Sequence, residues 1–259
     1  MLVADAVILG GGLGKRFDDR SSFNEGSLPK QFQLLNGIPT WVHSLLALNK
    51  IENIRQFYIT FPKAYLGLAQ EQRKEFLKNF EKPIFIIAGG ETRQDSSRLA
   101  LQAIEDANGE SLPHRVLIHD ACRPFFSTYF LQQIVKYMAD RSFGAWVPVT
   151  PSVETLKKVS RHQVEETIDR SLVMRVQTPQ IFEFSVLKSL GEKKGVKNIK
   201  NNFTDDASLC EYYGIPVGIF EGDIRNIKLT YSFEKNTLEF LLKQKDTACD
   251  SALVMTSIV

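Results

Sequence analysis

Cysteines and long apolar runs are both scarce in this sequence. Among its 259 residues are three scattered cysteines, Cys122, Cys210 and Cys249, with no Cys-X-X-Cys pair. This argues against a disulfide framework and against a cysteine zinc site. No apolar stretch approaches the ~20 residues that a transmembrane helix needs. We therefore expect a cytoplasmic protein in a reducing compartment, without a membrane partner.

Charge of one sign is also lacking. The formal net charge is +2, and no long run of like charge occurs, so the composition gives no case for nucleic acid as a partner. Hydrophobic residues make up 43% and charged residues 24%, as in an ordinary globular protein. The first residues, MLVADAVILGGG, lack the basic segment of a signal peptide and predict a first strand.

Short apolar runs alternate with longer amphipathic segments along most of the chain. This rhythm predicts an α/β fold, with a mostly parallel twisted sheet and helices on both faces. The predicted strands are Ala6–Leu9, Gln56–Phe61, Pro83–Ala88, Arg115–His119, Gly144–Val149 and Val217–Glu221. The predicted helices are Thr40–Leu48, Ala64–Phe80, Asp95–Asp106, Thr128–Asp140, Phe184–Leu190, Asp205–Tyr213 and Phe233–Lys243.

The rhythm breaks between residues 151 and 176. Two short alternating runs, TLKKVS and VEETI, are separated there by SRHQ, which predicts a hairpin that projects from the sheet. We expect one domain over residues 1–243, with 151–176 as a β-arm and 244–259 as a flexible tail.

The first strand ends in a glycine-rich segment, Gly10-Gly11-Gly12-Leu13-Gly14-Lys15-Arg16. Glycines after a strand allow close approach to an anion and direct backbone N–H groups towards it. The segment does not match the dinucleotide-binding pattern G-x-G-x-x-G, because Lys15 stands where the third glycine is required. It does not match the Walker A pattern either, because Lys15 is followed by Arg16 and not by Ser or Thr. A glycine-rich turn that binds no ligand remains an alternative interpretation at this point.

The glycine segment fits the pattern GGxGxR with a downstream Pro29-Lys30-Gln31, a signature of sugar and polyol nucleotidyltransferases. In that chemistry a phosphate oxygen attacks the α-phosphorus of a nucleoside triphosphate, and pyrophosphate leaves. Positioned cations stabilise the negative charge of the transition state. Arg16 and Lys30 are therefore the catalytic candidates.

Further blocks follow in order: Gly89–Ser96 (GGETRQDS), Ile118–Pro124 (IHDACRP), Gln177–Gln180 (QTPQ), Thr204–Ser208 (TDDAS) and Asn226–Thr230 (NIKLT). Together these motifs resemble the 2-C-methyl-D-erythritol 4-phosphate cytidylyltransferases of the non-mevalonate isoprenoid pathway. They are also similar to the related ribitol-5-phosphate cytidylyltransferases. The resemblance runs from about Val3 to Leu242.

The resemblance implies a Rossmann-like nucleotidyltransferase fold, CTP and a polyol phosphate as substrates, and Mg²⁺ held mostly by the CTP phosphates with help from Asp120. It also implies a homodimer clasped by the β-arm, in which Thr155 and Arg170 reach the neighbouring subunit's site. The implied CTP-binding residues are Gly10, Gly11, Gly12, Leu13, Gly14, Gly89, Gly90, Glu91, Ser96 and Asp120. The implied acceptor-binding residues are Arg123, Thr155, Arg170, Thr204 and Lys228.

Three alternatives remain open: a ribitol-5-phosphate cytidylyltransferase, a non-catalytic nucleotide-binding relative, and an NAD-dependent oxidoreductase. The last requires that the glycine segment be a dinucleotide-binding turn after all. His119, beside Asp120, is interpreted as structural, because an acceptor phosphate is already ionised near pH 7 and needs no strong general base.

Overall fold

The computed structural model describes residues 2–12, 28–191 and 203–244. The strands in these ranges are β1 (Ala4–Leu9), β2 (Leu34–Leu35), β3 (Ile38–Pro39), β4 (Ile54–Phe61), β5 (Ile84–Ala88), β6 (Arg115–Asp120), β7 (Ala145–Pro151), β8 (Leu156–Ser160), β9 (Gln163–Ile168), β10 (Met174–Val176), β11 (Gln180–Glu183) and β12 (Val217–Glu221). The helices are α1 (Thr40–Asn49), α2 (Leu66–Phe76), α3 (Arg93–Asn108), α4 (Thr128–Ala139), α5 (Phe184–Gly191), α6 (Asp206–Tyr212) and α7 (Glu234–Lys243).

Eight of these strands form one sheet, in which β10, β7, β11, β6, β1, β4 and β5 follow one another and β12 pairs with β7. The pairs β6–β1, β1–β4, β4–β5 and β12–β7 are parallel, whereas β10 and β11 run antiparallel to their partners. The predicted mostly parallel sheet is confirmed. Neither β10 nor β11 was predicted as a separate strand.

The sheet is covered on both faces. One apolar cluster joins it to α1 and α4 through residues such as Trp41 and Phe130. The other joins it to α3, α5 and α6 through residues such as Leu101, Leu187 and Leu209. Every residue of β1 is buried, which explains the apolar run Ala6–Leu9, since a central parallel strand has two covered faces.

The carboxyl ends of the parallel strands bring the predicted motifs to one edge of the sheet. Leu9, the last residue of β1, pairs with Thr60 of β4 and with Asp120 of β6. Ala88, the last residue of β5, pairs with Phe61. The glycine segment, the Gly89–Gly90 turn and Asp120 therefore follow neighbouring strands at the edge where α/β folds bind ligands.

The projecting hairpin is shorter than the predicted 151–176. Its strands β8 and β9 pair only with each other, through Leu156–Ile168 and Ser160–Gln163 among others. Pro151 belongs to β7, and Met174–Val176 returns to pair with that strand. The ends of the predicted arm are thus part of the main sheet, because the backbone groups of β7 and β10 pair with each other there.

Candidate active site

The glycine turn after β1 is fixed by close packing. The Gly10 N–H donates to the Thr60 carbonyl at 2.9 Å. A Cβ at Gly10 would lie 2.6 Å from a ring carbon of Phe61, and a Cβ at Gly11 would lie 3.2 Å from Ser96 Oγ. Only glycine fits at Gly10 without displacing the neighbouring strand. The predicted Leu13, Gly14 and Arg16 lie outside the described residues.

Lys30 begins a short 3-10 turn, Lys30–Phe32, that lies beside the glycine turn. Lys30 lines the same cavity as Gly10, Gly11 and Gly12. The structure therefore brings the predicted catalytic lysine to the predicted phosphate cradle, although a stretch of chain separates them in sequence.

The turn between β5 and α3 forms a second wall. Ser96 Oγ accepts from the Gly90 N–H at 3.1 Å and donates to the Thr92 carbonyl at 3.0 Å. A Cβ at Gly90 would lie 2.2 Å from Asp95 Cβ, and one at Gly89 would lie 2.9 Å from Ser96 Oγ. Ser96 thus holds a turn so tight that both glycines are required, and Gly90 and Glu91 of this turn line the cavity.

Asp120 sits at the centre of a charge cluster at the end of β6. Its Oδ2 lies 2.9 Å from Lys228 Nζ and 3.3 Å from Arg123 Nε. Burial opposes ionisation of the Asp120 carboxyl, but Lys228, Arg123 and Arg93 together outweigh it and hold its pKa well below the usual range. Asp120 is therefore a carboxylate at any working pH, and it orients the two cations that contact it.

A series of buried hydrogen bonds links the backbone of Asp120 to Thr178, His119 and Arg123. The Asp120 N–H donates to Thr178 Oγ1 at 3.0 Å, and Thr178 Oγ1 lies 2.9 Å from His119 Nδ1. His119 Nε2 lies 3.1 Å from the Arg123 carbonyl and must donate to it, so Nδ1 accepts from the Thr178 hydroxyl. Burial lowers the pKa of His119 to about 4. The imidazole is neutral with both nitrogens engaged, as expected for a structural histidine.

Arg93 lines the cavity but was not among the residues predicted from the sequence. Its Nη1 donates to Asp206 on α6, and its Nη2 has no hydrogen-bond partner among the described residues. The only sequence signal was its place in the GGETRQDS block, because its partner lies more than 100 positions away. Gln31, Thr178 and Asn226 were missed because they too are placed by partners elsewhere in the sequence, which are Gly10, His119 and Thr178 respectively.

The cavity enclosed by these elements has a volume of about 360 Å³. It is lined by Leu9, Gly10, Gly11, Gly12, Lys30, Gln31, Gly90, Glu91, Thr92, Arg93, Ser96, Asp120, Cys122 and Lys228. Arg123 adjoins it through Asp120. A larger cavity of about 530 Å³, lined by residues such as Leu2 and Pro113 near the opposite ends of the strands, contains none of the predicted site residues. We therefore take the smaller cavity as the site.

Besides Arg123, three predicted acceptor residues do not line this cavity. Thr155 and Arg170 lie on the projecting segment, where Arg170 Nη1 donates to the Val153 carbonyl at 2.9 Å. Thr204 is exposed just before α6. Thr155 and Arg170, which were expected to act on a neighbouring subunit, are not among the residues that line this chain's own cavity.

The described residues offer little to a metal ion by themselves. They contain no group of three or more His, Cys, Asp or Glu side chains placed to hold one. Both cations at Asp120 contact Oδ2, and no described hydrogen bond or ion pair engages Oδ1. One carboxylate oxygen suits a hard cation that takes its other ligands from phosphates and water. No described helix is both long and apolar enough to cross a bilayer.

Comparison with known proteins agrees with the family resemblance of the sequence motifs. Residues 4–244 match the family model described as 2-C-methyl-D-erythritol 4-phosphate cytidylyltransferase. A protein of that name from Syntrophus aciditrophicus is 33% identical over 248 residues, covering 93% of this chain and 96% of its own length. Another from Geobacillus kaustophilus is 36% identical over 226 residues, covering 87% and 91%.

A solved structure shares the fold. The crystal structure of 4-diphosphocytidyl-2C-methyl-D-erythritol synthase from Anaerococcus prevotii superposes with a TM-score of 0.74 at 22% identity, covering 94% of this chain and 99% of that one. This likeness confirms the Rossmann-like architecture predicted from the alternation of strands and helices.

Proposed function

The chain belongs to the 2-C-methyl-D-erythritol 4-phosphate cytidylyltransferase family, and from that premise we propose how its cavity performs the reaction. The enzyme transfers a cytidylyl group from CTP to the phosphate of 2-C-methyl-D-erythritol 4-phosphate. The products are CDP-methylerythritol and pyrophosphate, in isoprenoid precursor synthesis by the non-mevalonate pathway. The observation that carries the proposal is the convergence of Lys30, the glycine turn and the Asp120–Lys228 pair on one cavity.

The nucleotide is proposed to lie between the two glycine-containing turns. Backbone N–H groups of Gly11 and Gly12 and the Lys30 ammonium are proposed to face the triphosphate, with Gly10, Leu13, Gly14 and Arg16 also assigned to the cradle. The turn of Gly89, Gly90 and Glu91, held by Ser96, receives the cytosine. Backbone acceptors there suit the exocyclic amine of cytosine, and a tight turn selects a pyrimidine over a larger purine.

The acceptor is proposed to enter beside Lys228 and Arg123. Asp120 holds both cations in place before the substrate arrives, and a phosphate dianion offers them a stronger partner. This directs one phosphate oxygen towards the α-phosphorus of CTP. Thr204 is proposed to border the same acceptor.

Charge stabilisation, rather than proton transfer, is proposed to be the main catalytic device. The acceptor phosphate has its second pKa near 6 and is largely ionised at pH 7. Negative charge then grows on the α-phosphoryl oxygens, where Lys30 and Arg16 stabilise it. His119 is not a base in this scheme, because its pKa is about 4 and both its nitrogens are engaged.

A divalent cation, Mg²⁺, is proposed as the cofactor. Asp120 Oδ1 would hold it together with the triphosphate, and the ion would supply additional neutralisation of phosphate charge. Within the chain, Asp120 has the further task of keeping Lys228 and Arg123 aligned whether or not the ion is bound.

The hairpin β8–β9 is proposed to clasp a second subunit and form a homodimer. Val159 and Val164, which pair across the hairpin, are 65% and 60% exposed, and Leu172 just after it is 83% exposed; a partner would cover such apolar surface. Thr155 and Arg170 would then reach the partner's acceptor site, which accounts for their distance from the cavity of their own chain.

Subunit mixing tests this arrangement. Arg170→Ala and Lys30→Ala should each be nearly inactive, but a heterodimer of the two variants contains one intact site. After subunit exchange of an equal mixture, we expect about a quarter of wild-type activity, since about half the dimers are mixed and each has one good site. Activity that stays at the level of the separate variants would contradict a shared site.

The cytoplasm is proposed as the location, because Cys122 and Cys210 are both buried free thiols, as in a reducing compartment.

Pyrophosphate release from CTP tests the reaction itself. With Mg²⁺ we expect turnover on 2-C-methyl-D-erythritol 4-phosphate, and little on ribitol 5-phosphate, the alternative that the comparisons do not favour. Faster turnover on ribitol phosphate would reverse the acceptor assignment. CTP binding without turnover on either acceptor would instead indicate a non-catalytic relative.

A further inference from the structure

Gln31 is a buried side chain at the cavity wall that makes two bonds to the glycine turn. Its Nε2 donates to the Gly10 carbonyl at 2.7 Å and to the Gly12 carbonyl at 3.1 Å. The residue is 1% exposed, and an amide nitrogen has two hydrogens, so both are used. Gln31 thus ties the segment that carries Lys30 to the turn that follows β1.

These two bonds constrain which groups the glycine turn presents. In a trans peptide the carbonyl and the next N–H point in opposite directions. Because the Gly10 carbonyl is held towards Gln31, the Gly11 N–H points away from Gln31. The Gly10 N–H is already bonded to Thr60, whereas no described residue accepts from the N–H of Gly11 or Gly12. The latter two are therefore available to a ligand.

The same bonds also engage two carbonyl oxygens at the wall of an anion site. An unengaged carbonyl oxygen carries partial negative charge and would repel a triphosphate, while the amide donor of Gln31 opposes that charge. Lys30, the preceding residue, is placed by the same 3-10 turn. One short segment therefore contributes a cation and fixes the backbone donors opposite it.

We propose that Gln31 is a positioning residue for the triphosphate: it acts through the glycine turn and not by contact with the reacting atoms. The proposal rests on CTP being the bound nucleotide, as proposed above. A residue that sets the phosphate cradle should affect CTP more than CMP, because CMP lacks the β- and γ-phosphates. A residue that only supports the fold would weaken both ligands alike.

Gln31→Glu is the sharpest perturbation, since it keeps the size of the side chain but replaces the donor with acceptors facing two carbonyls. Gln33→Glu is the matched control: Gln33 is two residues away and its side chain donates to the Leu28 carbonyl, not to the glycine turn. Gln31→Met removes the donor without adding charge, and it serves where a buried carboxylate prevents folding.

Calorimetric titration of each variant with CTP and with CMP tests the proposal without requiring turnover. We expect Gln31→Glu and Gln31→Met to weaken CTP by about tenfold more than CMP, and Gln33→Glu to change the ratio little. Equal losses for the two nucleotides, or no loss, would overturn the positioning role alone. A wild-type chain that binds no CTP would overturn the function and this role together.

Discussion

Buried His119 should make the stability of this fold depend on pH between about 4 and 6.5. Burial lowers the pKa of His119 to about 4, whereas an exposed imidazole in the unfolded chain titrates near 6.5. Between these values the unfolded chain binds more protons, so the free energy of unfolding falls as the pH is lowered. At 1.36 kcal/mol per pKa unit, the loss is about 2 kcal/mol by pH 5 and about 3 kcal/mol by pH 4.

The substitution His119→Gln isolates this contribution. At pH 7 the variant should be less stable by about 2 kcal/mol, because it loses the edge-on ring contact with Phe126 and the bond from Thr178. It cannot take up a proton, so its disadvantage should shrink by about 2 kcal/mol at pH 5. Asp120 does not contribute to the change in stability between pH 7 and pH 5, because its cationic neighbours keep it ionised in the folded protein.

Urea unfolding of both proteins at pH 7, 6 and 5, at constant ionic strength, measures the difference. Other groups titrate in both proteins and cancel in the comparison. A stability gap that stays constant from pH 7 to pH 5 would show that His119 is not held neutral by burial, and the proposed hydrogen-bond chain through Thr178 would be wrong.

Three further substitutions probe the walls of the cavity. Asp206→Asn should cost about 3 kcal/mol, because it leaves the partly buried Arg93 without its carboxylate; the double variant Arg93→Met/Asp206→Leu should recover part of that loss in urea unfolding. Thr92→Ala should cost about 1 kcal/mol by removing the capping box of α3, and thermal unfolding will show whether it does. Gly90→Ala should raise KM for CTP at least tenfold through its clash, whereas Gly67→Ala, with open space around its Cβ in α2, should leave KM unchanged.

The sequence predicted the helices and parallel strands well because those elements carry their own periodicity. It missed β11, Gln180–Glu183, whose partners on β6 are about 60 residues away. Such a short strand is stabilised by pairing with its neighbouring strands, and its own sequence carries no recognisable strand pattern. The helix predicted to start at Asp95 begins at Arg93, because Thr92 and Asp95 form a reciprocal cap.

Prediction of the site was limited in the same way. The motifs singled out the glycines, Asp120 and Lys228, and the structure places Gly10, Gly11, Gly12, Gly90, Asp120 and Lys228 around one cavity. Gln31 and Arg93 stand in the same motifs, but their roles depend on bonds to Gly10 and to Asp206, which only the folded chain brings near. The motifs therefore located the cavity, while the contacts that shape it required the structure.

The most direct test of the central claim is the single-turnover rate of Lys30→Ala at saturating CTP and acceptor, with Lys136→Ala on the exposed face of α4 as the control. Stabilisation of transition-state charge by Lys30 predicts a rate at least ~10²-fold below wild type, with the control unchanged. A near-normal rate for Lys30→Ala would contradict the account.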